Sequence, residues 1–313
     1  MKKLLGKYEN GNYTVRIFDD GTKVRKTNEN EFIPTHPESI DLKITNRCDL
    51  ECEQCHEISR KDGDNGRILD LQFIRTMLPY TEIAIGGGNP LEHPRLEEFL
   101  RKCRKLDLIP NITVNQKHII RPEYRKRLEK MIDENLIFGL GVSVNSQPHK
   151  DLCKILEKFP NVVIHTINGI TDDDVFTELA HHNLKILILG YKTFGRGISY
   201  KSNNLIDIYN NQDWLKNSLS EIIEQKWFNV VSFDNLAIEQ LEVKNLMSAG
   251  EWDSFYMGDD GKFTMYIDAV TRTAAKSSTT PMNKRIPLED DVEEMFKKIN
   301  SNISEKSDEE KEN

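Results

Sequence analysis

The chain has 313 residues, enough for one large domain with elaborations or two modest ones. Hydrophobic residues make up 37% and charged residues 30%. That balance excludes collagen-like and wholly disordered classes, and no apolar run nears the ~18 residues a membrane-spanning helix needs. The formal net charge of −8 argues against non-specific nucleic-acid binding, which relies on Lys and Arg to displace counterions.

The first 36 residues carry two turn signals, Asn10-Gly11-Asn12 and Asp19-Asp20-Gly21. They separate the short runs YTVRIF and TKVRKT, which predicts a small β-meander over 1–36. From Ser39 onward, short apolar or alternating runs recur: IDLKIT (40–45), EIAIGG (82–87), NITVN (111–115), GLGVSV (139–144), VVIHTIN (162–168) and LKILILG (184–190). Helical periodicity fills the spacers. Between Arg95 and Leu106, for example, Leu96, Phe99, Leu100 and Cys103 share one face, with Pro94 at the first helical position. Repeated strand–helix units imply a parallel sheet with right-handed crossovers over 37–228. The segment Arg121 to Lys130 holds five basic residues and reads as a solvated helix face.

A helical stretch around Trp214 to Lys226 leads to a seventh run, NVVSFDNLAIEQL (229–241). Next comes SFYMGDDGKFTMYID (254–268), which predicts a hairpin around Asp259-Asp260-Gly261 within a strand-rich extension over 229–301. Residues 302–313 read as a disordered acidic tail. The opening MKKLLGKYENGNY lacks the apolar core of a secretory signal, so a reducing cytoplasm is the expected location.

Five cysteines are present, three of them within eight residues: Cys48, Cys52 and Cys55. They follow the first βα strand, at the end where α/β barrels place their active sites. Three neighbouring thiolates suit three irons of a cubane cluster, and with no fourth cysteine nearby one iron keeps an open position. Two other readings exist. His56 could complete a zinc site, although its adjacency to Cys55 is poor geometry. Cys52-Glu53-Gln54-Cys55-His56 also matches a haem-attachment pattern, which normally requires export.

The C-x3-C-x2-C pattern after an initial strand resembles the signature of the radical S-adenosylmethionine superfamily. The resemblance implies a partial (β/α)6 barrel of the α/β class, with the β-meander and the β-hairpin extension added to its ends. It implies a [4Fe–4S] cluster on Cys48, Cys52 and Cys55. The open iron would be chelated by S-adenosylmethionine, whose reductive cleavage gives a 5′-deoxyadenosyl radical that abstracts hydrogen from substrate. An electron donor such as flavodoxin or ferredoxin is implied as well.

The second strand ends Gly86-Gly87-Gly88-Asn89-Pro90. Gly87, Gly88 and Pro90 resemble the family loop whose backbone approaches the methionyl amino group, with Asn89 where a glutamate is usual. Gln54 replaces the usual aromatic residue before the third cysteine. Ser143 and Asn145 resemble ribose-contacting positions, or they cap a loop. The backbone at Gly190 resembles the adenine border. Lys192 and Arg196 beyond it could meet a substrate carboxylate or phosphate, or remain surface charge. Asp41 and Lys43 would point into the lumen, towards substrate or into an internal ion pair. Asn115, Asp234, Asn235 and His56 are further polar candidates. The absence of cysteine after Cys153 argues against an auxiliary cluster. The leading alternative to an enzyme is a non-catalytic iron–sulfur or zinc-binding protein. The substrate, a small molecule or a peptide, and the oligomeric state stay open.

Overall fold

A computed structural model describes residues 2–301. The expected acidic tail at 302–313 lies outside the described residues. The chain forms two compact units. One takes the residues up to Thr45, then Asp64–Asn111, then those from Gly258; the other takes Asn46–Gly63 and Ile112–Met257. The architecture is α/β with a large, mostly parallel sheet.

The first unit opens with β1 (Leu4–Asn10), β2 (Tyr13–Phe18) and β3 (Lys23–Lys26), an antiparallel meander. Alternation along β2 buries Tyr13, Val15 and Ile17 and leaves Arg16 outside. The β1–β2 turn requires glycine. Gly11 has φ +60°, and a Cβ there would fall 1.8 Å from the Ile33 carbonyl oxygen. Beneath the meander lies a buried acid, Glu38. It accepts hydrogen bonds from Tyr13 Oη (2.7 Å) and Arg25 Nε (2.7 Å) and pairs with Lys23 Nζ (3.4 Å).

The same unit holds β4 (Ser39–Thr45) and β5 (Glu82–Gly87), paired in parallel with Ile40 opposite Ile83 and Leu42 opposite Ile85. Helix α1 (Leu96–Lys105) buries Leu96, Phe99, Leu100 and Cys103, the face that the periodicity predicts. Arg95 is the N-cap residue, so Pro94 precedes the helix instead of starting it. On the other side of β4 runs β11 (Thr264–Asp268), also parallel, with Met265 opposite Ile40. Strands β12 (Thr273–Ala275) and β13 (Ile286–Pro287) add antiparallel pairs, and α10 (Val292–Ser301) ends the described chain.

Strand β6 (Ile109–Asn115) carries the chain from one unit into the other. The second unit continues with α2 (Gln116–Ile119), α3 (Pro122–Asp133), β7 (Gly139–Ser143), α4 (Leu152–Leu156), β8 (Val162–Ile167), α5 (Asp173–Leu179) and β9 (Lys185–Leu189). Then come α6 (Arg196–Asn203), α7 (Leu205–Glu224), β10 (Val230–Phe233), α8 (Asn235–Gln240) and α9 (Ala249–Phe255). Strands β7, β8, β9 and β10 pair in parallel in that order. Leu140, Val142, Ile164, Ile186 and Ile188 are buried on one face. On the other face Ser143, Val163, His165, Ile167, Leu187 and Leu189 are only half-buried.

Two expectations are corrected. The predicted hairpin at 254–268 is a helix end followed by one strand. Ser248 accepts from Glu251 N–H and Glu251 Oε2 accepts from Ser248 N–H, a capping box that starts α9. The hairpin forms later, between β11 and β12, with Tyr266 opposite Ala275. In the run 229–241 the strand stops at Phe233, because the Asp234 carboxylate accepts from Ala237 N–H and caps α8. Among the described residues no helix is long and apolar enough to cross a membrane.

Candidate functional site

The loop that leaves β4 carries Cys48, Cys52 and Cys55. Its two arms are tied together: Arg60 N–H donates to Asn46 O (2.9 Å) and Cys48 N–H donates to Arg60 O (2.9 Å). Inside the loop, Cys55 N–H donates to Cys52 O (3.1 Å) and Ile58 N–H to Cys55 O (3.3 Å). Glu51 (φ +47°) and Ile58 (φ +53°) both lie in the left-handed region, and for the β-branched Ile58 this is a strained conformation.

All three thiols are free. Burial, joined by a charge on Cys52, pushes the Cys48 thiol up to about 11. Burial also raises Cys52, as does a charge on Cys55, while Lys117 and Arg196 pull it the other way. A charge on Cys52 thus acts on Cys48, and one on Cys55 acts on Cys52. Ionising them together is costly without a cation, and a metal bound among them removes that cost. An all-thiolate donor set of this kind fits an iron–sulfur cluster.

The loop is anchored by residues far away in sequence. Both Asp49 carboxylate oxygens are engaged: His118 Nε2 lies at 2.7 Å and Arg121 Nη1 at 2.5 Å. Burial alone would raise the Asp49 carboxyl, but the hydrogen bonds from Arg121 and His118 hold it below the usual range. Ligand atoms of Cys48, Asp49 and His118 fall within 4.8 Å of one another, a spacing a metal ion could use. Arg121 thus leaves the solvated basic face and joins the site. Arg196, offered by the sequence for a substrate anion or as surface charge, donates from its guanidinium to Cys52 O and Ser59 O, both at 2.9 Å. His56 Nε2 lies 3.4 Å from Glu57 Oε1.

On the half-open face of β7 to β10, Ser143 lies opposite His165, and His165 opposite Leu187. A Cβ on Gly141 would meet the His165 ring at 2.6 Å and Thr113 Oγ1 at 2.7 Å. Glycine at 141 therefore makes room for the imidazole to lie across β7. Burial pushes that imidazole down to about 4, so it is neutral near pH 7. Neither His165 nor the gap at Gly141 is signalled by a sequence motif. Asn145 Oδ1 accepts from Thr171 Oγ1 at 3.2 Å. Gly190 N–H donates to Asp234 Oδ1 (2.8 Å), and a Cβ on Gly190 would lie 2.4 Å from Leu236. Asp234 and Asn115 are helix caps, which accounts for their polarity at strand ends.

In the first unit, the loop after β5 is packed against the end of β4. Gly88 N–H donates to Thr45 O (2.7 Å); Gly87 has φ +110°, and a Cβ there would lie 2.5 Å from the same oxygen. Asn89 is fully buried. Its Oδ1 accepts from Leu91 N–H (3.2 Å) and its Nδ2 donates to Glu92 Oε1 (3.3 Å), so the side chain caps the short turn that begins at Pro90. Lys43 forms the internal ion pair, with Nζ 3.2 Å from Asp268 Oδ2; Arg285 Nη1 lies 3.7 Å from the same oxygen. Asp41 is exposed.

No family model matches the chain. It is 24% identical over 239 residues to an S-adenosylmethionine-dependent nucleotide dehydratase of Fibrobacter sp., covering 67% of this chain and 65% of that one. It is 29% identical over 102 residues to a probable GTP 3′,8-cyclase of Methanococcus aeolicus, covering 29% and 33%. Among solved structures, the fold matches Streptococcus suis SuiB bound to precursor peptide SuiA (TM-score 0.55) and bound to S-adenosylmethionine (TM-score 0.54). Identity is 17% in both, over 79% of this chain and 61% of SuiB. The chain thus spans less than two thirds of each of these proteins. These relationships, with three cysteines in the loop that leaves β4, support the resemblance to the radical S-adenosylmethionine superfamily.

Proposed function

We propose that this chain is an enzyme that holds a [4Fe–4S] cluster on Cys48, Cys52 and Cys55, binds S-adenosylmethionine and abstracts hydrogen from a small-molecule or peptide substrate. When bound, cluster and cofactor supply the chemistry: one electron cleaves S-adenosylmethionine and yields a 5′-deoxyadenosyl radical. The observation that carries the reading is the cysteine loop itself. Three free thiols share one hydrogen-bonded loop, a donor set that suits iron.

The chain's own residues would divide the remaining work. The backbone of Gly87 and Gly88, with Pro90 and the Asn89 cap, would border the methionyl group; Ser143 and Asn145 would face the ribose, and Gly190 the adenine. The parallel strands would close into a partial (β/α)6 barrel around the substrate. A nucleotide-sized or peptide substrate accords with the names of the relatives, and flavodoxin or ferredoxin in a reducing cytoplasm would supply electrons.

Anaerobic reconstitution tests this reading. The full chain should bind about four irons, turn brown, and release 5′-deoxyadenosine when reduced with S-adenosylmethionine. Replacing Cys48, Cys52 or Cys55 with alanine should abolish both properties, whereas Cys103→Ala and Cys153→Ala should keep the iron. A colourless zinc protein that leaves S-adenosylmethionine intact would overturn it.

A further inference from the structure

The segment after β9 is moulded against the cysteine loop. Arg196 grips that loop at three points. Its Nε donates to Cys52 O and its Nη2 to Ser59 O, both at 2.9 Å, and its own N–H donates to Cys55 O at 3.2 Å. One guanidinium therefore bridges the outgoing and returning arms of the loop.

The approach is close enough to require glycine. Gly195 has φ +52°, and a Cβ there would lie 2.4 Å from His56 O. A Cβ on Gly197 would lie 2.3 Å from Lys192 O. The segment is itself braced. Tyr191 Oη donates to Gly197 O (2.6 Å), and the Gln240 side chain holds Tyr191 N–H (2.8 Å) and C=O (2.9 Å). The guanidinium also bears a permanent positive charge that acts on Cys52.

Resting on the reading that these cysteines hold the cluster, we propose that Arg196 is a positioning residue with two effects: its planar fork fixes the backbone between Cys52 and Ser59, and its charge favours the reduced, more negative cluster. Lysine keeps the charge but lacks the fork. Glutamine lacks the charge.

Two measurements on the full chain test the proposal. Hydrogen exchange without iron reads the fork: in R196Q and R196K the Cys55 and Ile58 amides should exchange at least tenfold faster than in the wild type. An electron-paramagnetic-resonance redox titration of the reconstituted chain, without S-adenosylmethionine, reads the charge. The R196Q midpoint should move negative by a tenfold change in the reduction equilibrium, about 59 mV for one electron, while R196K should stay at the wild-type value. Unchanged exchange in R196Q, or a wild-type midpoint in R196Q, would overturn the proposal. If R196Q does not fold, R196K decides: unchanged exchange or a shifted midpoint overturns it. A wild-type chain that takes up no iron would overturn the cluster assignment instead and leave the exchange result as evidence on the fork alone.

Discussion

His165 is a polar side chain on the half-open face of the second unit, with Gly141 cut away beneath its ring. Its folded value near 4 lies below the 6.5 of a free histidine, and burial is the cause. The sign follows directly: below pH 6.5 the unfolded chain takes up a proton that the folded chain refuses. This contribution to stability is therefore complete above about pH 6.5 and falls as the pH drops towards 4. The interval amounts to about 3 kcal/mol at ~1.4 kcal/mol per pH unit. In NMR titration the His165 ring resonance should stay neutral from pH 7 down to 5. His165→Gln should flatten the acid limb of the stability curve measured by urea unfolding. A ring that titrates near 6.5 would contradict the burial argument.

At the scale of elements, the meander is tied to β4 through Glu38 rather than through apolar packing alone. Arg25, Lys23 and Tyr13 converge on that carboxylate, which is almost wholly buried. Removing one member of such a cluster strands the others, so Glu38→Ala should cost about 3–5 kcal/mol, read as a lower urea midpoint. The elements also show what local pattern can and cannot convey. The parallel strands were legible because short apolar runs alternate with amphipathic spacers, a period that survives folding. The stretch 254–268 misled because SFYMGDDGKF alternates like a strand, whereas the Ser248–Glu251 capping box, four residues long, commits the chain to helix first. The site divides the same way. Cys48, Cys52 and Cys55 announce themselves because they are local. Asp49 meets His118 and Arg121 across 69 and 72 positions, and Arg196 reaches Cys52 across 144, distances at which a single sequence carries no pairing signal. Asn115 and Asp234 cap helices, and sequence alone does not separate that use from ligand contact, since caps use the polar residues that ligands also prefer.

For the whole molecule, the order of the strands matters more than their number. Residues from Gly258 belong with the unit that contains the amino-terminal meander, and β11 lies beside β4 as a structural strand. The carboxyl-terminal segment is therefore not a detachable cover. Ending the chain at Met257 should yield insoluble protein rather than a soluble, less active enzyme, as measured by the fraction recovered in the supernatant. A soluble, monomeric truncation with native circular dichroism would refute this. The reason is kinetic as well as energetic. Met265 is the neighbour of Ile40 yet is made roughly 225 positions later, so one edge of β4 stays bare until that segment has been synthesised. On the ribosome that unpaired edge is open to pairing with another nascent chain. Expression that slows translation or supplies holdase chaperones should therefore improve recovery of this protein more than any change of buffer after lysis.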